Sequence, residues 1–166
     1  MKKRWICLFV ENDIGVLARI SSLFSGKSYN LDSLTVGRTG DETISRMTIG
    51  LTSDDRTFEQ VKKQLNRCIE VIKVVDFTDV CIHKKEVMFI RINSCSRQDI
   101  TDIFQLSKVF NIRVVDCGLS SAVVESLHTD EENNKIAALF SKFFINRTEI
   151  VRGGIVAMEA VSAGLP

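Results

Sequence analysis

Proline is almost absent from this sequence, because the only proline among its 166 residues is the last one, Pro166. A chain without interior proline keeps every backbone donor, which suits helices and paired strands. Charge of one sign is also lacking, since 22 basic residues oppose 21 acidic ones for a formal net charge of +1. This balance argues against binding DNA or RNA by neutralising phosphates. The hydrophobic share of 45% excludes an intrinsically disordered chain.

The sequence also lacks a hydrophobic run long enough to cross a membrane. Its opening apolar run, Trp5–Val10, is far shorter than the roughly twenty residues that a membrane-spanning helix needs. The basic start at Met1–Arg4 is similar to that of a signal peptide, but the apolar run behind it is too short and ends at Glu11–Asp13. We therefore expect a buried strand at Trp5–Val10, no contact with a membrane, and a cytoplasmic protein.

Residues with the chemistry of a catalytic or metal site are few and scattered. The five cysteines are an odd number without a C-x-x-C pair, so the sequence predicts neither a disulfide scaffold nor a zinc site. The two histidines, His83 and His128, do not have the spacing of metal ligands. No motif of a hydrolase nucleophile or of a zinc protease occurs. We expect no catalytic residue, no metal site and no cofactor in this chain.

Hydrophobic periodicity divides the first half of the chain into six elements. Apolar or alternating runs predict strands, and apolar residues spaced by three and four predict helices. The strands are expected at Arg4–Val10, Leu31–Gly37, Thr43–Leu51 and Glu70–Asp76. The first helix is expected to bury Ile14, Leu17, Ile20 and Phe24, and the second Phe58, Val61, Leu65 and Cys68. The predicted order is β-α-β-β-α-β.

The second half repeats this order. Strands are expected at Glu86–Ile92, Ile112–Cys117, Ala122–Leu127 and Glu149–Val161, the last broken at Gly153-Gly154. One helix follows Ser96 and carries Ile100, Ile103, Ser107 and Phe110 on one face. The other follows Thr129, with an apolar stripe at Ile136, Leu139, Phe140 and Phe143. The sequence thus predicts an α+β fold of two ferredoxin-like βαββαβ units in tandem. We place the domains at residues 1–77 and 84–166, with a connector at Phe77–Lys85.

Two of the predicted strands are apolar on both faces. In this fold the helices cover one face of the sheet, and an exposed second face should alternate to polar residues. Trp5–Val10 is apolar throughout, and Val71–Val75 is nearly so. We therefore expect a second sheet, another chain or the other half of this chain to cover the open face.

The segment Glu11–Leu17 is the candidate binding site that the residues themselves indicate. It joins a buried strand to the start of a helix, where backbone N–H groups and the helix dipole favour a carboxylate. Gly15 would let a ligand approach the backbone, and the amide of Asn12 can both donate and accept hydrogen bonds. A helix that is well capped at Asn12-Asp13 and contains a permissive glycine explains the same residues. The residue types alone leave both interpretations open.

Five segments of the first half carry a resemblance to a known family. They are Glu11-Asn12-x-x-Gly15-x-Leu17, Leu23-Phe24-Ser25, Tyr29-Asn30-Leu31-x-Ser33-Leu34-Thr35-Val36, Ser45-Arg46-Met47-Thr48-Ile49 and Glu59-Gln60-x-x-Lys63-Gln64-Leu65. With these segments in this order and spacing, the chain resembles the small, regulatory subunit of acetolactate synthase (acetohydroxyacid synthase). A looser match continues through the second half, including Ile112-x-Val114-Val115-Asp116 and Glu149-Ile150-x-Arg152.

The resemblance implies that the first half is an ACT domain, an amino-acid-sensing module of ferredoxin-like fold. ACT domains of this family pair in a homodimer, and the feedback inhibitor, usually valine, lies at their interface. Carried over to this sequence, one copy would contribute Asn12, Gly15, Val16 and Leu17. The other copy would contribute Asn30 and Leu31, from the start of its second strand.

The resemblance also implies a regulatory function without chemistry of its own. Such a subunit activates a catalytic large subunit, which carries thiamine diphosphate, magnesium and usually FAD. It also makes that enzyme sensitive to an end product of branched-chain amino acid biosynthesis. This sequence departs from the family pattern at Ser28 and at Gly153-Gly154. The first departure lies close to the implied site and bears on the affinity for the inhibitor.

Two alternatives stay open at the level of the sequence. In the first, the chain is an ACT-domain sensor that regulates a different enzyme. In the second, it is a small ferredoxin-like enzyme of the acylphosphatase kind, which would need an arginine beside a backbone nest for an anion. Arg19 is expected on the first helix rather than in the turn, which argues against the second alternative.

Overall fold

The computed structural model describes residues 1–25 and 29–161. The departure at Ser28 lies outside the described residues. Eight strands and four helices are found in this part of the chain, in the order β1 (Lys2–Glu11), α1 (Val16–Ser25), β2 (Leu31–Arg38), β3 (Ile44–Ser53), α2 (Asp55–Leu65), β4 (Val71–Asp76), β5 (Ile82–Ile92), α3 (Arg97–Val109), β6 (Arg113–Cys117), β7 (Ala122–His128), α4 (Asp130–Phe143) and β8 (Thr148–Glu159).

The strands form two four-stranded sheets with the same topology. The spatial order is β2-β3-β1-β4 in the first sheet and β6-β7-β5-β8 in the second. This order, in which the third strand lies between the first two, is that of the split β-α-β unit. The predicted fold of two ferredoxin-like βαββαβ units is therefore confirmed.

Compactness divides the chain into two units, one of Met1–His83 with Val156–Pro166 and the other of Lys84–Ile155. β5 begins at Ile82, inside the segment Phe77–Lys85 that the sequence suggested as a connector. The boundaries at 1–77 and 84–166 stay a prediction.

The core of the first unit lies between its two helices and one face of the sheet. Alternate residues of β1 and β3 point to this face, as the period of a strand requires. Its buried members are Ile6, Leu8, Val10, Val16, Ile20, Phe24, Met47, Ile49, Leu51, Phe58, Val61 and Leu65. The apolar face predicted for β3 is thus confirmed, and so are Phe58, Val61 and Leu65 of α2. Cys68, which was expected on the same helical face, lies after the end of α2 and is only partly buried.

The apolar stripe expected on the first helix is partly wrong. Ile20 and Phe24 are buried, but Ile14 is 100% exposed and Leu17 is 46% exposed. The helix begins at Val16, so the buried stripe is Val16, Ile20 and Phe24 at spacings of four. Ile14 lies before the helix and does not share its periodicity. The exposed Ile14 and Leu17 leave an apolar surface beside the turn.

The open faces of the two sheets differ. On the first sheet Trp5 and Cys7 are buried, and the guanidinium of Arg46 donates to the carbonyl oxygen of Ala157 within the same unit. On the second sheet the corresponding side chains of Val87 and Phe89 are exposed. The expected cover of an apolar open face is therefore found over part of the first sheet. The described chain supplies no such cover for Val87 and Phe89.

The second unit corrects two further expectations. Phe143 is exposed and Phe144 is buried instead, since Phe144 lies four residues after the buried Phe140. β8 is not broken at Gly153-Gly154 but runs through both glycines. Gly154 has a φ of +78°, a conformation that glycine adopts without steric cost. Two glycines in sequence were therefore an unreliable signal for the end of this strand.

Candidate functional site: the turn between β1 and α1

Asn12 fastens the turn to the start of β3. Its backbone N–H donates to the carbonyl oxygen of Thr43 at 2.7 Å, and its side-chain amide donates to the carbonyl oxygen of Glu42 at 2.8 Å. Its side-chain oxygen accepts from the hydroxyl of Ser45 at 2.9 Å. The expectation that Asn12 caps the helix is therefore wrong. Asn12 positions the turn, and both ends of its amide already have a protein partner.

Gly15 is the residue at which α1 starts. Its carbonyl oxygen accepts the backbone N–H of Arg19 at 3.0 Å, which is the first bond of the helix and makes Gly15 the N-cap. Its φ is +88°, and a Cβ built on it would meet no atom within 4 Å. The backbone is thus open to solvent here, and a side chain at this position would be strained as well as exposed.

The N-terminus of α1 has no side-chain cap of its own. In α2, α3 and α4, the N-cap side chains of Asp54, Ser96 and Thr129 accept a backbone N–H of the first turn. Glycine has no side chain that could do this, and the first turn of α1 contains no acidic residue. The Val16 N–H donates to the carbonyl oxygen of Asp13 at 3.4 Å, whereas the N–H groups of Leu17 and Ala18 have no side-chain cap. With the positive end of the helix dipole behind them, these two groups are suited to bind a carboxylate.

Polar and acidic groups surround an open depression at this turn. Its lining includes the carboxylate-bearing residues Glu11, Asp13 and Glu42. Nearby, hydrogen bonds from the hydroxyl and backbone N–H of Thr43 hold the pKa of Asp41 below its usual value. An ammonium group is attracted to such a rim, whereas a carboxylate is attracted only to the helix N-terminus. The turn therefore offers complementary positions for both charges of an amino acid.

The second half of the predicted site is well separated from the turn within one chain. Across the sheet, Glu11 lies opposite Ile44 and Leu31 lies opposite Leu51. Ile44 and Leu51 are seven residues apart on β3, or about 24 Å at about 3.4 Å per residue. Asn30 is exposed and Leu31 is half-buried. One chain therefore does not bring Asn30 and Leu31 to a ligand at Gly15.

Of the six predicted site residues, four lie at the turn and two do not. Gly15 and Leu17 are open to solvent, Val16 is buried in the core, and Asn12 is bonded within the protein. Sequence reasoning missed Glu42, Thr43 and Ser45, which anchor Asn12. Two of these anchors act through backbone carbonyl oxygens, for which a sequence carries no signal. Of the three, only Ser45 was named in the sequence analysis, where it belongs to a segment that resembles the known family.

Three further kinds of functional feature were searched for in the described residues: an arginine at the turn, a metal site and a membrane-spanning helix. Arg19 lies on α1 and forms an ion pair with Glu70. No three His, Cys, Asp or Glu side chains within residues 1–25 and 29–161 gather where they could hold a metal ion. In the same ranges, no helix has the length and apolar composition required to span a membrane.

Comparison with known proteins matches almost the whole chain. A family model described as an AHAS small subunit-like ACT domain matches residues 6–73, and one described as the small subunit of acetolactate synthase matches residues 85–161. The acetolactate synthase small subunit of Aquifex aeolicus is 37% identical over 96% of this chain and 82% of its own length. The probable acetolactate synthase small subunit of Archaeoglobus fulgidus is 37% identical over 94% of this chain and 96% of its own.

A solved structure supports the same assignment. The crystal structure of the acetolactate synthase small subunit from Thermotoga maritima is similar with a TM-score of 0.85 and 28% identity. The likeness covers 96% of this chain and 98% of that one. The fold and the uncapped turn thus define a protein with an N-terminal ACT domain and a second ferredoxin-like unit. The chain belongs to the family of acetolactate synthase small subunits.

Proposed function

We propose that this chain is the regulatory subunit of an acetolactate synthase, which it activates and makes sensitive to inhibition by valine. The observation that carries the proposal is the N-terminus of α1. There, a glycine N-cap leaves the N–H groups of Leu17 and Ala18 without a side-chain cap, beside the exposed apolar side chain of Leu17. A branched-chain amino acid has a carboxylate for the first feature and an apolar side chain for the second.

The binding mode follows from the charges of the turn. The carboxylate of valine would accept hydrogen bonds from the first-turn N–H groups of α1, and Gly15 would admit it close to the backbone. Its ammonium group would face the acidic rim of Glu11, Asp13 and Glu42. Its isopropyl group would lie against Leu17. Asn12 would hold the turn in place through Glu42 and Ser45 instead of binding the ligand directly.

A homodimer would complete this site. β2 is an edge strand of the first sheet, and its free edge can pair with another strand. If β2 pairs antiparallel with β2 of a second copy and the two strands overlap over their full length, Leu31 of that copy lies beside Arg38 of this chain. Arg38 is opposite Ser45, whose hydroxyl donates to Asn12. The second copy would thus bring its Asn30 and Leu31 to the end of the sheet where the turn lies.

Regulation would then be a coupling between this site and the surface that meets the catalytic subunit. Valine would favour one arrangement of the ACT dimer, and that arrangement would support the catalytic subunit less well. Couplings of this kind typically amount to about 1–3 kcal/mol. The chemistry would belong to the catalytic subunit, with its thiamine diphosphate, magnesium and FAD.

A reconstitution experiment tests the proposal. Acetolactate formation by the catalytic subunit is measured alone and with this chain added, each over a series of valine concentrations. We expect the chain to raise the rate and valine to lower it again. Gly15→Asp should retain the activation but lose the inhibition, because a side chain and a negative charge would occupy the position of the carboxylate.

Gly40→Asp is the matched control for this variant. It adds the same side chain to another glycine that has open space around it. We expect its response to valine to equal that of the unmodified chain. Inhibition that persists in Gly15→Asp would place the valine site elsewhere, and a catalytic subunit that does not respond to the chain would contradict the regulatory role itself.

A further inference from the structure

The open face of the first sheet carries a small cavity that the valine site does not use. We call it the Gly37 cavity, and we propose that it binds a small oxyanion, a carboxylate or a phosphate group. Its volume is about 220 Å³, and its lining consists of Thr35, Val36, Gly37, Arg38, Arg46, Thr48 and Val156. All of these residues belong to the unit that contains the ACT domain. None of them is acidic, and Arg46, the residue opposite Gly37, supplies a positive charge on this face of the sheet.

The shape of the cavity follows from a missing side chain. Gly37 lies opposite Arg46 in the pairing of β2 with β3, so both face the same side of the sheet. A Cβ built on Gly37 would meet no atom within 4 Å, so there is room beside the side chain of Arg46. Buried Thr48 lies on the same face, opposite Thr35. The volume corresponds to roughly seven water molecules of liquid, which is sufficient for a small hydrated anion.

The charge of Arg46 has only neutral partners. Its Nε donates to the Sγ of Cys7 at 2.9 Å, its Nη2 donates to the carbonyl oxygen of Ala157, and its guanidinium lies 5.8 Å from the ring centroid of Phe9. Within residues 1–25 and 29–161, no carboxylate forms an ion pair with Arg46 or Arg38. A half-buried cation without a counter-charge is unfavourable, and an anion in the adjacent cavity would compensate it.

The Gly37 cavity is distinct from the valine site by its position on the sheet. Thr48 lies opposite Cys7, and Cys7 points to the face away from the helices. Met47, the neighbour of Thr48, points instead into the core beneath α1 and α2. The proposed valine site lies at the N-terminus of α1. An anion in the cavity therefore approaches the sheet from the side opposite to the helices.

The test is titration of the full chain with sodium phosphate and, separately, with sodium acetate, at constant ionic strength and followed by NMR chemical shifts. We expect saturable binding of at least one of them, with shifts centred on Thr35, Arg46 and Thr48. The stronger of the two probes identifies the source as a phosphate ester or as a carboxylate. Gly37→Val fills the cavity without replacing Arg46, and we expect it to raise the dissociation constant at least tenfold. Arg46→Met should have the same effect.

Two control variants make the outcome decisive. Gly40→Val makes the same change three residues away, where the added side chain meets open space outside the cavity, and should bind like the unmodified chain. Gly15→Asp should also retain binding. Shifts that rise linearly with every salt, or binding that is equal in Gly37→Val, would overturn the proposal. Binding lost in Gly15→Asp would mean that the anion occupies the N-terminus of α1, which would overturn this inference and leave the proposed function intact.

Discussion

At the residue scale, two glycines on neighbouring strands have opposite surroundings. A Cβ built on Gly50 would lie within 3.0 Å of three ring carbons of Trp5, the residue directly opposite on β1. A Cβ built on Gly37 would meet no atom within 4 Å. Trp5 is only 7% exposed, so its ring has little freedom to move aside. Gly50 is therefore required by packing, whereas Gly37 is not.

This difference predicts opposite effects of the same substitution. Gly50→Ala should lower the free energy of unfolding by about 1–3 kcal/mol, the usual cost of overpacking. Gly37→Ala should leave it unchanged or raise it by about 0.5–1 kcal/mol, because alanine loses less backbone entropy in a strand. Urea denaturation followed by fluorescence of Trp5 measures both. Equal stability of the two variants would contradict the packing described for Trp5 and Gly50.

Residue roles could be predicted only where they depend on local sequence. Gly15 was expected to be accessible from its place between a strand and a helix, and it is exposed. Leu17 was expected in the buried stripe of the helix, but it is 46% exposed. Asn12 was misassigned as a cap because its true partners, Glu42 and Ser45, are thirty or more residues away in the chain. The Gly37 cavity was not predicted at all, since it depends on the pairing of β2 with β3.

At the element scale, the start of α3 combines a local signal with a distant one. Ser96 caps the helix, and Asp99 returns a hydrogen bond to the backbone N–H of Ser96. The sequence predicted the helix start at Ser96 because this motif is local. It did not predict that Arg147, 48 residues later, donates to Asp99 at 2.9 Å. The start of this helix could thus be predicted from local sequence. The contact with Arg147, which stabilises it, could not be predicted, because it depends on the tertiary fold.

The ion pair at this helix start predicts a pH dependence. Hydrogen bonds from Arg147 first, and then from Ser96, hold the pKa of Asp99 well below its usual value of 3.8. A lowered pKa means that the folded state prefers the ionised form. The resulting stabilisation is therefore complete above the ordinary pKa and is lost as the pH falls below it.

Asp99→Asn tests this dependence. The difference in unfolding free energy between the unmodified chain and the variant should be constant from neutral pH down to about pH 5, since Asp99 stays ionised in both states. It should shrink as the pH falls below 3.8. Arg147→Met should remove part of the same dependence, because it removes the donor to the carboxylate. A difference that stays constant down to pH 2 would contradict the proposed role of the Asp99 charge.

Among the other elements, strand faces were predicted better than helix stripes. A strand alternates with a period of two, so Met47, Ile49 and Leu51 were placed on the buried face of β3 without knowing where the strand began. A helical stripe depends on the exact start of the helix. Ile14 was included in the stripe of α1 although the helix begins at Val16, and Phe143 was chosen where Phe144 is buried.

At the scale of the whole molecule, the repeated order of elements predicted two units of the same topology, and the two sheets have the same strand order. The hydrophobic pattern could not predict on which sheet the face away from the helices would be buried within this chain. Trp5 is buried and Phe89 is exposed, although both lie on the first strand of their sheets. The second half of the proposed valine site, Asn30 and Leu31, came only from the family resemblance, since no contact within one chain indicates it.

The proposed division of the valine site between two copies predicts that valine strengthens the dimer. A ligand that binds only the dimer stabilises it by about 2.7 kcal/mol per site at a hundred times its dissociation constant. The dissociation constant of the dimer should then fall roughly a hundredfold for each site occupied. Sedimentation velocity of the full chain over a dilution series, with and without valine, measures this shift directly.

Gly15→Asp provides the control for this linkage, because its dimer should form as before but should not respond to valine. Alanine in place of valine as the added amino acid checks for a general effect of zwitterions, and we expect it to shift the dilution series much less. If valine binds tightly while the dimer dissociates at the same concentration as without it, the two states have equal affinity for the ligand. That result would mean that one chain forms the whole site, and that Asn30 and Leu31 of a second copy have no part in it.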